Sequence, residues 1–228
     1  MRTRLMTTMV LMALVLTCLL MACEVDDYET GDGEYSFMRA DFANVHTGEA
    51  KVLTSAVTDE GDSLIFGERM QCSWATTPDS VYRALVYYSR ERDSKGLDVH
   101  GISAQQVLVL RIPSRRPAVM LADPLSMESA WLSAGSRYLN LGLYVKTGVK
   151  EGMVDVKQTL GVVCDTVMPL DNGANEHRLR LFHNQNGVPE YYSSRVYASI
   201  PTGDIPAGDV VRLEVATYDG TVVRYFNY

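Results

Sequence analysis

The sequence predicts an all-β protein. From residue 35 onward, apolar and polar residues alternate with a period of two, which gives each strand one buried face and one solvated face, as in antiparallel sheets. No segment shows the sustained 3.6-residue apolar period of an amphipathic helix. The clearest predicted strand alternates Leu139, Leu141, Leu143 and Val145 with Asn140, Gly142 and Tyr144.

Two dipeptides between alternating segments support this class. Asp219-Gly220 lies between the last two segments, and Asn186-Gly187 lies between the segments near Phe182 and Tyr192. Asp, Asn and Gly tolerate the positive φ angles of a type I′ turn. Each dipeptide therefore predicts a turn between two strands of a β-hairpin.

A proline-rich interruption divides the chain. Three prolines and two adjacent arginines between residues 113 and 124 break the strand pattern, which is typical of an inter-domain loop. About five strands precede it and about seven follow, numbers that suit a small barrel and a sandwich. We place the first β-domain at residues 36–116 and the second at residues 117–228.

The N-terminus has the layout of an export signal. Arg2 and Arg4 are the only charges in the first 22 residues, and an apolar run follows from Met9 to Leu20. The run ends in Leu-Met-Ala-Cys, which resembles the lipobox of bacterial lipoproteins. We predict a signal peptide at residues 1–22 and lipidation at Cys23, which anchors the chain to a membrane. The alternative is an uncleaved membrane span, which needs roughly 18 apolar residues.

The segment after Cys23 is acidic and polar. Six acids and two glycines lie between residues 24 and 34, a composition that cannot bury a core. Residues 23–35 therefore form a flexible tether. Acidic residues just after a lipidated cysteine also resemble the signal that sends Bacteroidetes lipoproteins to the cell surface. We expect an outer membrane lipoprotein on the cell surface, with the periplasmic face as the alternative.

Charge and cysteine content limit the partners and the redox state. The chain has 28 acidic and 21 basic residues, with a net charge of −7, so nucleic acid is an unsuitable partner. Cys72 and Cys164 lie in predicted strands of different halves of the chain. Two separate buried thiols are the simpler expectation, and a single disulfide in an oxidising compartment is the alternative.

Segments of the C-terminal half resemble a known family. The lipobox, the acidic tether and the segments LRLFHNQNG, YYSSRVYASIP and VVRLEVATYDGTVVRYFNY are similar to those of the NigD-like lipoproteins of Bacteroidetes. The resemblance is clearest from Trp131 to Tyr228. It implies an N-terminal OB-like barrel followed by an antiparallel β-sandwich. The family is named after a bacteriocin-associated operon, and the resemblance implies no biochemical activity.

No catalytic or metal-binding constellation emerges from the motifs. Gly61-Asp62-Ser63-Leu64 matches a lipase motif, but no helix follows and no histidine has an aspartate three positions before it. We interpret it as a turn that leads into a strand. His177 and His183 share one strand face but lie roughly 20 Å apart, so they cannot share a metal ion.

Tyrosines and Asp-Ser/Thr motifs provide the candidate surface sites. Tyr88, Tyr192 and Tyr197 are candidate ligand contacts, because exposed rings stack on sugars; ordinary strand propensity is the alternative explanation. Three Asp-Ser/Thr-apolar triplets resemble the acceptor site of O-glycosylation in Bacteroidetes. Their acceptor residues are Ser63, Ser80 and Thr166.

These observations favour a binding protein over an enzyme. We expect a non-catalytic, lipid-anchored envelope protein that binds an envelope protein or a glycan and needs no cofactor or metal. One alternative is a glycan hydrolase whose two carboxylates meet only in the folded chain. The other is a protective, immunity-type lipoprotein, which is suggested only by the operon that named the family.

Overall fold

The computed structural model describes residues 38–89, 98–150 and 156–228. The signal peptide at residues 1–22, the lipidation site Cys23 and the tether at residues 23–35 lie outside the described residues, so all three stay predictions. The described part is built from strands, with one 3-10 turn at Ala134–Ser136. None of its helical segments has the length and apolar character that a membrane span requires.

The first five strands form a closed barrel. They are β1 (Met38–Thr47), β2 (Val52–Thr58), β3 (Ser63–Gln71), β4 (Val81–Ser89) and β5 (Asp98–Gln106). They follow the order β1-β2-β3-β5-β4, and β4 pairs back onto β1. Only β3 and β5 run parallel. This is a five-stranded barrel of the OB type, as expected. The buried residues of its interior include Val45, Leu53, Leu64, Val86 and Tyr88.

The remaining strands form a sandwich of two four-stranded sheets. They are β6 (Leu108–Val109), β7 (Ser126–Leu132), β8 (Tyr138–Thr147), β9 (Thr159–Pro169), β10 (Asn175–Asn184), β11 (Tyr192–Pro201), β12 (Val210–Thr217) and β13 (Gly220–Asn227). One sheet has the order β13-β12-β10-β9 and the other β6-β11-β8-β7. Two pairs run parallel, β10 with β12 and β11 with β6, so the sandwich is not purely antiparallel.

The alternation in the sequence correctly identified the sandwich core. The alternate apolar residues of β8, β10 and β12 are buried between the two sheets, where they exclude water from both inner faces. The opposite face of β8 differs from the expected solvated face, because Asn140 is fully buried there. The apolar residues of β8, β10 and β12 that are buried between the sheets are Leu139, Leu141, Leu143, Leu179, Leu181, Val211, Leu213 and Val215.

The chain enters the sandwich before the proline-rich segment. Leu108 and Val109 already pair with β11, although the strand pattern of the sequence assigns both residues to the barrel domain. The proline-rich segment then runs along the sandwich: Ala122 forms a bridge with His183, and Leu125 forms one with Thr217. The strand pattern could not show this, because a two-residue strand is too short to alternate.

Of the two predicted hairpins, the one at Asp219-Gly220 is present and the one at Asn186-Gly187 is not. Thr217 pairs with Gly220, so β12 and β13 form the expected hairpin. Its φ angle is positive only at Gly220 (109°), so the backbone differs from a type I′ turn. Asn186 and Gly187 both have positive φ angles, at 50° and 72°. However, the strands that they connect, β10 and β11, belong to different sheets, so the expected second hairpin is wrong.

The two cysteines of the described region are free thiols. Cys72 lies against the barrel core and Cys164 against the sandwich core, each half-buried. Burial raises the pKa of both thiols. The simpler expectation of two separate thiols is therefore confirmed over a disulfide.

Candidate functional site

A groove of about 540 Å³ lies between the barrel and the sandwich. We call it the interdomain groove. Its volume is in the range of small-ligand sites, which occur preferentially between domains. The barrel contributes strands β1 and β4 and the loop after β2, and the sandwich contributes β7 and β11. The side chains that distinguish it chemically are Asp41, Phe42, Tyr87, Glu128, Trp131, Arg195 and Tyr197.

Three aromatic rings form one wall across the two domains. The Phe42 ring on β1 meets the Trp131 ring on β7 edge to face, with centroids 5.2 Å apart and planes at 85°. It meets the Tyr197 ring on β11 in the same way, at 5.4 Å and 88°. Edge-to-face pairs of this kind hold rings in fixed orientations. The wall therefore offers rigid aromatic surface to a ligand.

Charged groups lie on the sandwich side of the groove. Arg195 donates a short hydrogen bond to Glu128, and its Nε donates to the Tyr144 hydroxyl at 3.1 Å. The guanidinium also faces the Tyr144 and Tyr197 rings, at 5.3 and 5.8 Å from their centroids. The hydrogen bond to Glu128 raises the pKa of Arg195, which is in any case a charged donor in proteins. Arg195 is thus held in place as a donor at the rim.

Carboxylates make up the rest of the polar lining. Asp41, Asp59 and Glu60 lie on the barrel side, and Glu128 lies opposite on the sandwich. Carboxylates accept hydrogen bonds from hydroxyl groups, and Arg195 donates them. Flat apolar rings beside such acceptors and donors suit a ligand that carries hydroxyls around an apolar ring face.

A buried polar cluster joins the two domains next to the groove. Arg83 of β4, whose side chain is 1% exposed, donates two hydrogen bonds of 2.6 Å to the Asp59 carboxylate. It donates one each, at 3.1 Å, to Ser199 Oγ on β11 and Asn140 Oδ1 on β8. The Tyr138 ring covers the guanidinium at 4.0 Å. We call these five residues the Arg83 clamp.

The members of the clamp also bond to one another. Asn140 donates to Asp59 Oδ2 at 2.9 Å, and the Ser199 hydroxyl donates to Asn140 Oδ1 at 2.7 Å. A buried network that is fully satisfied favours one arrangement, because any other arrangement leaves polar groups unpaired in a low dielectric. The clamp therefore fixes the barrel on the sandwich. Since Asp59 also lines the groove, the clamp sets the position of the groove walls.

The three tyrosines chosen from the sequence have separate positions. Tyr197 lines the groove, and Tyr192 is exposed (56%) at the start of β11. Tyr88 was chosen as an exposed ring, and this is wrong: it is fully buried in the barrel, where its hydroxyl donates to Asp41 Oδ2 at 2.6 Å. The outward ring of that pair is Tyr87, which lines the groove. The two rings do point to opposite faces of the strand, as predicted, but the ring that faces inward is Tyr88 and not Tyr87.

The three glycosylation candidates lie on the barrel and on β9. Ser63 and Thr166 are exposed, whereas Ser80 is half-buried and its hydroxyl donates to the Pro78 carbonyl at 2.9 Å. Their modification stays a prediction. Ser63 begins β3 directly after a turn closed by Thr58, whose hydroxyl accepts from Asp62 N at 3.0 Å. The lipase-like motif is therefore a turn into a strand, as expected.

The histidines of the sandwich have structural partners. His177 Nε2 lies 2.7 Å from Asp209 Oδ2, and the hydrogen bond between them lowers the pKa of Asp209. His183 is buried and contacts the Asp123 carbonyl and Gln158 Oε1, at 3.1 and 2.9 Å. Within residues 38–89, 98–150 and 156–228, no three His, Cys, Asp or Glu side chains form a group that could hold a metal ion.

Sequence reasoning missed the clamp and most of the groove. One signal for the clamp was present: Arg83 stands in the run Tyr-Arg-Ala-Leu-Val, where a charge interrupts residues that are otherwise typical of a buried strand. A lone arginine in such a run indicates a buried partner. Nothing in the sequence indicates which carboxylate that partner is, because Asp59 lies 24 residues earlier.

The fold and the groove define a class: a two-domain all-β protein with a ligand-sized groove between an OB-type barrel and a β-sandwich. Solved structures share this fold. A NigD-like immunity protein from Bacteroides caccae is 21% identical, with a TM-score of 0.59, over 82% of this chain and 91% of its own. A candidate toxin-related protein from Parabacteroides distasonis is 18% identical, with a TM-score of 0.62, over 84% and 93%.

A third solved structure is more distant in sequence. It is a candidate lipoprotein from Bacteroides fragilis, 12% identical with a TM-score of 0.52, over 83% of this chain and 96% of its own. No protein-family model matches the chain, and no curated protein matches it. At these identities the likeness concerns the fold. It agrees with the order of barrel and sandwich that the NigD-like resemblance implied.

Proposed function

We propose that this protein is a non-catalytic, lipid-anchored envelope protein of the NigD-like kind that binds a glycan in the interdomain groove. The observation that carries the proposal is the groove itself: a concave site with a rigid aromatic wall, facing carboxylates and a fixed arginine. A protein partner would need a larger and flatter surface than about 540 Å³ of concave space. A groove of this size suits a short stretch of sugar chain.

Anchoring follows from the first residues of the chain. Acylation of Cys23 places the domains at the outer membrane, and the acidic tether favours display on the cell surface. The fold shared with a candidate lipoprotein supports the lipid anchor. Metabolic labelling with a palmitate analogue checks the anchor: the label is lost in Cys23→Ala. Protease treatment of intact cells checks the surface exposure, because a periplasmic protein stays protected.

Glycan binding is tested with two tyrosine variants on one strand. The mature protein is applied to an array of bacterial envelope and mucin glycans, with wild type, Tyr197→Ala and Tyr192→Ala compared. Loss of the groove ring is expected to weaken binding roughly tenfold, about 1.4 kcal/mol, the upper range for one aromatic contact. Tyr192→Ala removes an equally large but more exposed ring outside the groove and is expected to bind as wild type.

The results separate the alternatives. Equal loss in both variants, or no glycan bound by the wild type, contradicts glycan binding in the groove. In that case a crosslinked pull-down from native envelopes tests for a protein partner instead. A variant in the groove, Tyr197→Ala, must then lose that partner if the groove is the binding site.

A glycan hydrolase is the second candidate, because carboxylates from both domains line the groove. Hydrolysis needs two carboxyl groups on opposite sides of the scissile bond. Mass spectrometry of the bound glycan after prolonged incubation detects shortened products. If the wild type produces shortened glycans and Glu128→Gln does not, the protein is an enzyme. If the glycan stays intact with the wild type, the non-catalytic assignment is supported.

A protective role is the third candidate. One protein with this fold is described as NigD-like immunity protein. If this chain has such a role, deletion of its gene must raise sensitivity to bacteriocins of neighbouring strains, and re-expression must restore resistance. Unchanged sensitivity removes this candidate without affecting the groove.

A further inference from the structure

The first half of β11 has a backbone edge without a partner strand. The pairing of β11 with β8 is regular from Tyr192 to Pro201, without a register shift. On the other side, β6 pairs only at Ala198 and Ser199. Among the described residues, no other strand pairs with this side of residues 192–196. Part of a central strand is therefore an exposed edge.

The register identifies which backbone groups point to this edge. Ser199 faces β6, because its carbonyl accepts from Leu110 N at 2.9 Å. Backbone groups alternate sides along a regular strand, so the N–H and C=O groups of Arg195 and Ser193 also point away from β8. Those of Ser194 and Val196 point towards β8. Two residues thus present four hydrogen-bonding groups at strand spacing that no strand of the described part of the chain pairs with.

An apolar cavity adjoins this edge. It has a volume of about 680 Å³ and lies on the inner side of β11, between the two sheets. We call it the sandwich pocket. Val196 lines this pocket, whereas its neighbours Arg195 and Tyr197 line the interdomain groove on the other face. Other apolar side chains that line the pocket include Leu108, Val109, Val145, Val149 and Leu160, and its polar lining includes Lys157, Gln158 and His183.

The rim of the pocket leaves apolar surface exposed to water. Val149 is 81% exposed, and Leu108 and Val109 of β6 are about two-fifths exposed. Two other edge strands of the sandwich are interrupted: the register of β9 shifts where it pairs with residues 178 and 179, and that of β7 shifts at Met127, whereas the edge strand β13 is regular. Bulges of this kind protect an edge from pairing. The β11 edge has no such protection.

We propose that this edge binds an extended segment of a partner polypeptide, which adds a strand beside β11 and continues the position of β6. The backbone groups of Ser193 and Arg195 pair with the incoming strand. Because side chains alternate along a strand, every second residue of the segment enters the sandwich pocket. The partner segment is therefore apolar at alternate positions. The incoming strand pairs with the backbone of Arg195, whereas the groove uses its side chain on the outer face of β11, so the protein can hold a glycan and a protein together.

Backbone amide exchange tests the free edge directly. In the unbound protein, the amides of Ser193 and Arg195 are expected to exchange fast, whereas those of Ser194 and Val196 are protected by β8. The probe is a short, capped peptide that alternates valine with threonine and has lysines at both ends. It is expected to slow exchange at Ser193 and Arg195 without changing Ser194 or Val196. The same peptide with alternate amides N-methylated loses one set of hydrogen bonds and is expected to bind more weakly.

Two variants and one control complete the test. Ser193→Pro removes one N–H from the edge, and Ser193→Ala keeps it. Proline is tolerated where an N–H points away from the sheet, so the fold is retained. The proline variant is expected to lose roughly threefold to tenfold in peptide affinity, the effect of one hydrogen bond, whereas the alanine variant is unchanged. Val109→Lys, at the exposed rim of the pocket, is also expected to weaken binding.

Each other outcome overturns the proposal. Absence of peptide binding overturns it. Binding of the N-methylated peptide as tightly as the unmodified one also overturns it, and so does binding of the unmodified peptide to Ser193→Pro as tightly as to the wild type, because the contact would then involve side chains alone. Protection of Ser193 and Arg195 that rises with protein concentration would assign the edge to a second copy of this chain. Glycan binding in Ser193→Pro stays at the wild-type level, so failure here is distinct from failure of the groove proposal.

Discussion

Replacement of Arg83 by methionine tests whether the clamp holds the barrel on the sandwich. The substitution keeps an apolar stem in the buried site but removes every hydrogen bond of the guanidinium. Asp59, whose side chain is 15% exposed, then retains only its bond from Asn140. Removal of one partner from a buried ion pair costs about 3–5 kcal/mol, because the remaining charge is uncompensated. The partial exposure of Asp59 places the expected cost near 3 kcal/mol.

A second arginine–aspartate pair supplies the matched control. Arg180 donates two hydrogen bonds to Asp165, but the side chains are 27% and 32% exposed. An exposed pair contributes about 0–1 kcal/mol, because water solvates both charges when the pair is broken. Asp165 also keeps its ion pair with Arg116, at 2.8 Å. Arg180→Met is therefore expected to cost about 1 kcal/mol or less. Replacement of arginine by methionine is thus expected to lower the free energy of unfolding more at Arg83 than at Arg180.

Urea unfolding followed by tryptophan fluorescence measures both losses. The chain has two tryptophans: Trp74 packs against Tyr82 in the barrel, and Trp131 packs against Phe42 at the domain junction. A loss of about 3 kcal/mol lowers the midpoint by roughly 1–3 M urea for a typical m-value. Uncoupled domains would show two transitions, with the Trp131 signal changing first.

The double variant Arg83→Met with Asp59→Leu provides an internal check. It removes both charges, so no uncompensated carboxylate remains, and more than half of the lost stability is expected to return. The reasoning is refuted if Arg83→Met costs no more than Arg180→Met. It is also refuted if the double variant is less stable than Arg83→Met, since the loss would then come from packing.

Two further predictions concern the sandwich. His177 holds the pKa of Asp209 below its usual value, so this pair stabilises the fold above the unfolded-state pKa of about 3.9 and the contribution is lost as the pH falls through the lower folded-state value. Asp209→Asn is expected to lower Tm at neutral pH, with a difference from wild type that narrows below about pH 4; a difference independent of pH would contradict this. Gly161→Ala is expected to cost about 1–3 kcal/mol in chemical unfolding, because the new Cβ would collide with the Phe182 ring. Gly67→Ala, on a strand with no atom within 4 Å of the new Cβ, is the control, and equal effects would disprove the collision.

The alternation of the sequence predicted the strands for a local reason. A strand with one buried face needs an apolar residue at every second position, and this requirement is visible in any short window. The alternation does not indicate which of the two faces of a strand is buried. Tyr87 and Tyr88 show the same pattern in either orientation, and only the closure of the barrel turns Tyr88 inward.

The groove could not be derived from spacing in the sequence. Phe42, Trp131 and Tyr197 are spread over both domains, and each ring on its own fits ordinary strand propensity. Their meeting depends on how the barrel docks on the sandwich. The same holds for the free edge of β11, because it exists only where β6 ends.

The sequence by itself predicted the all-β class, two successive β-domains and, as the simpler of two expectations, two separate thiols, and it contains no recognisable catalytic motif. It also predicts a lipidation signal at Cys23, because such a signal is a linear motif. Tertiary structure alone decided the pairing of Arg83 with Asp59, the burial of Asn140 on a face that alternation marks as polar, and the meeting of aromatic rings in the groove. The physical reason is that strand formation depends on neighbours along the chain, whereas polar burial and groove geometry depend on contacts between residues that docking brings together.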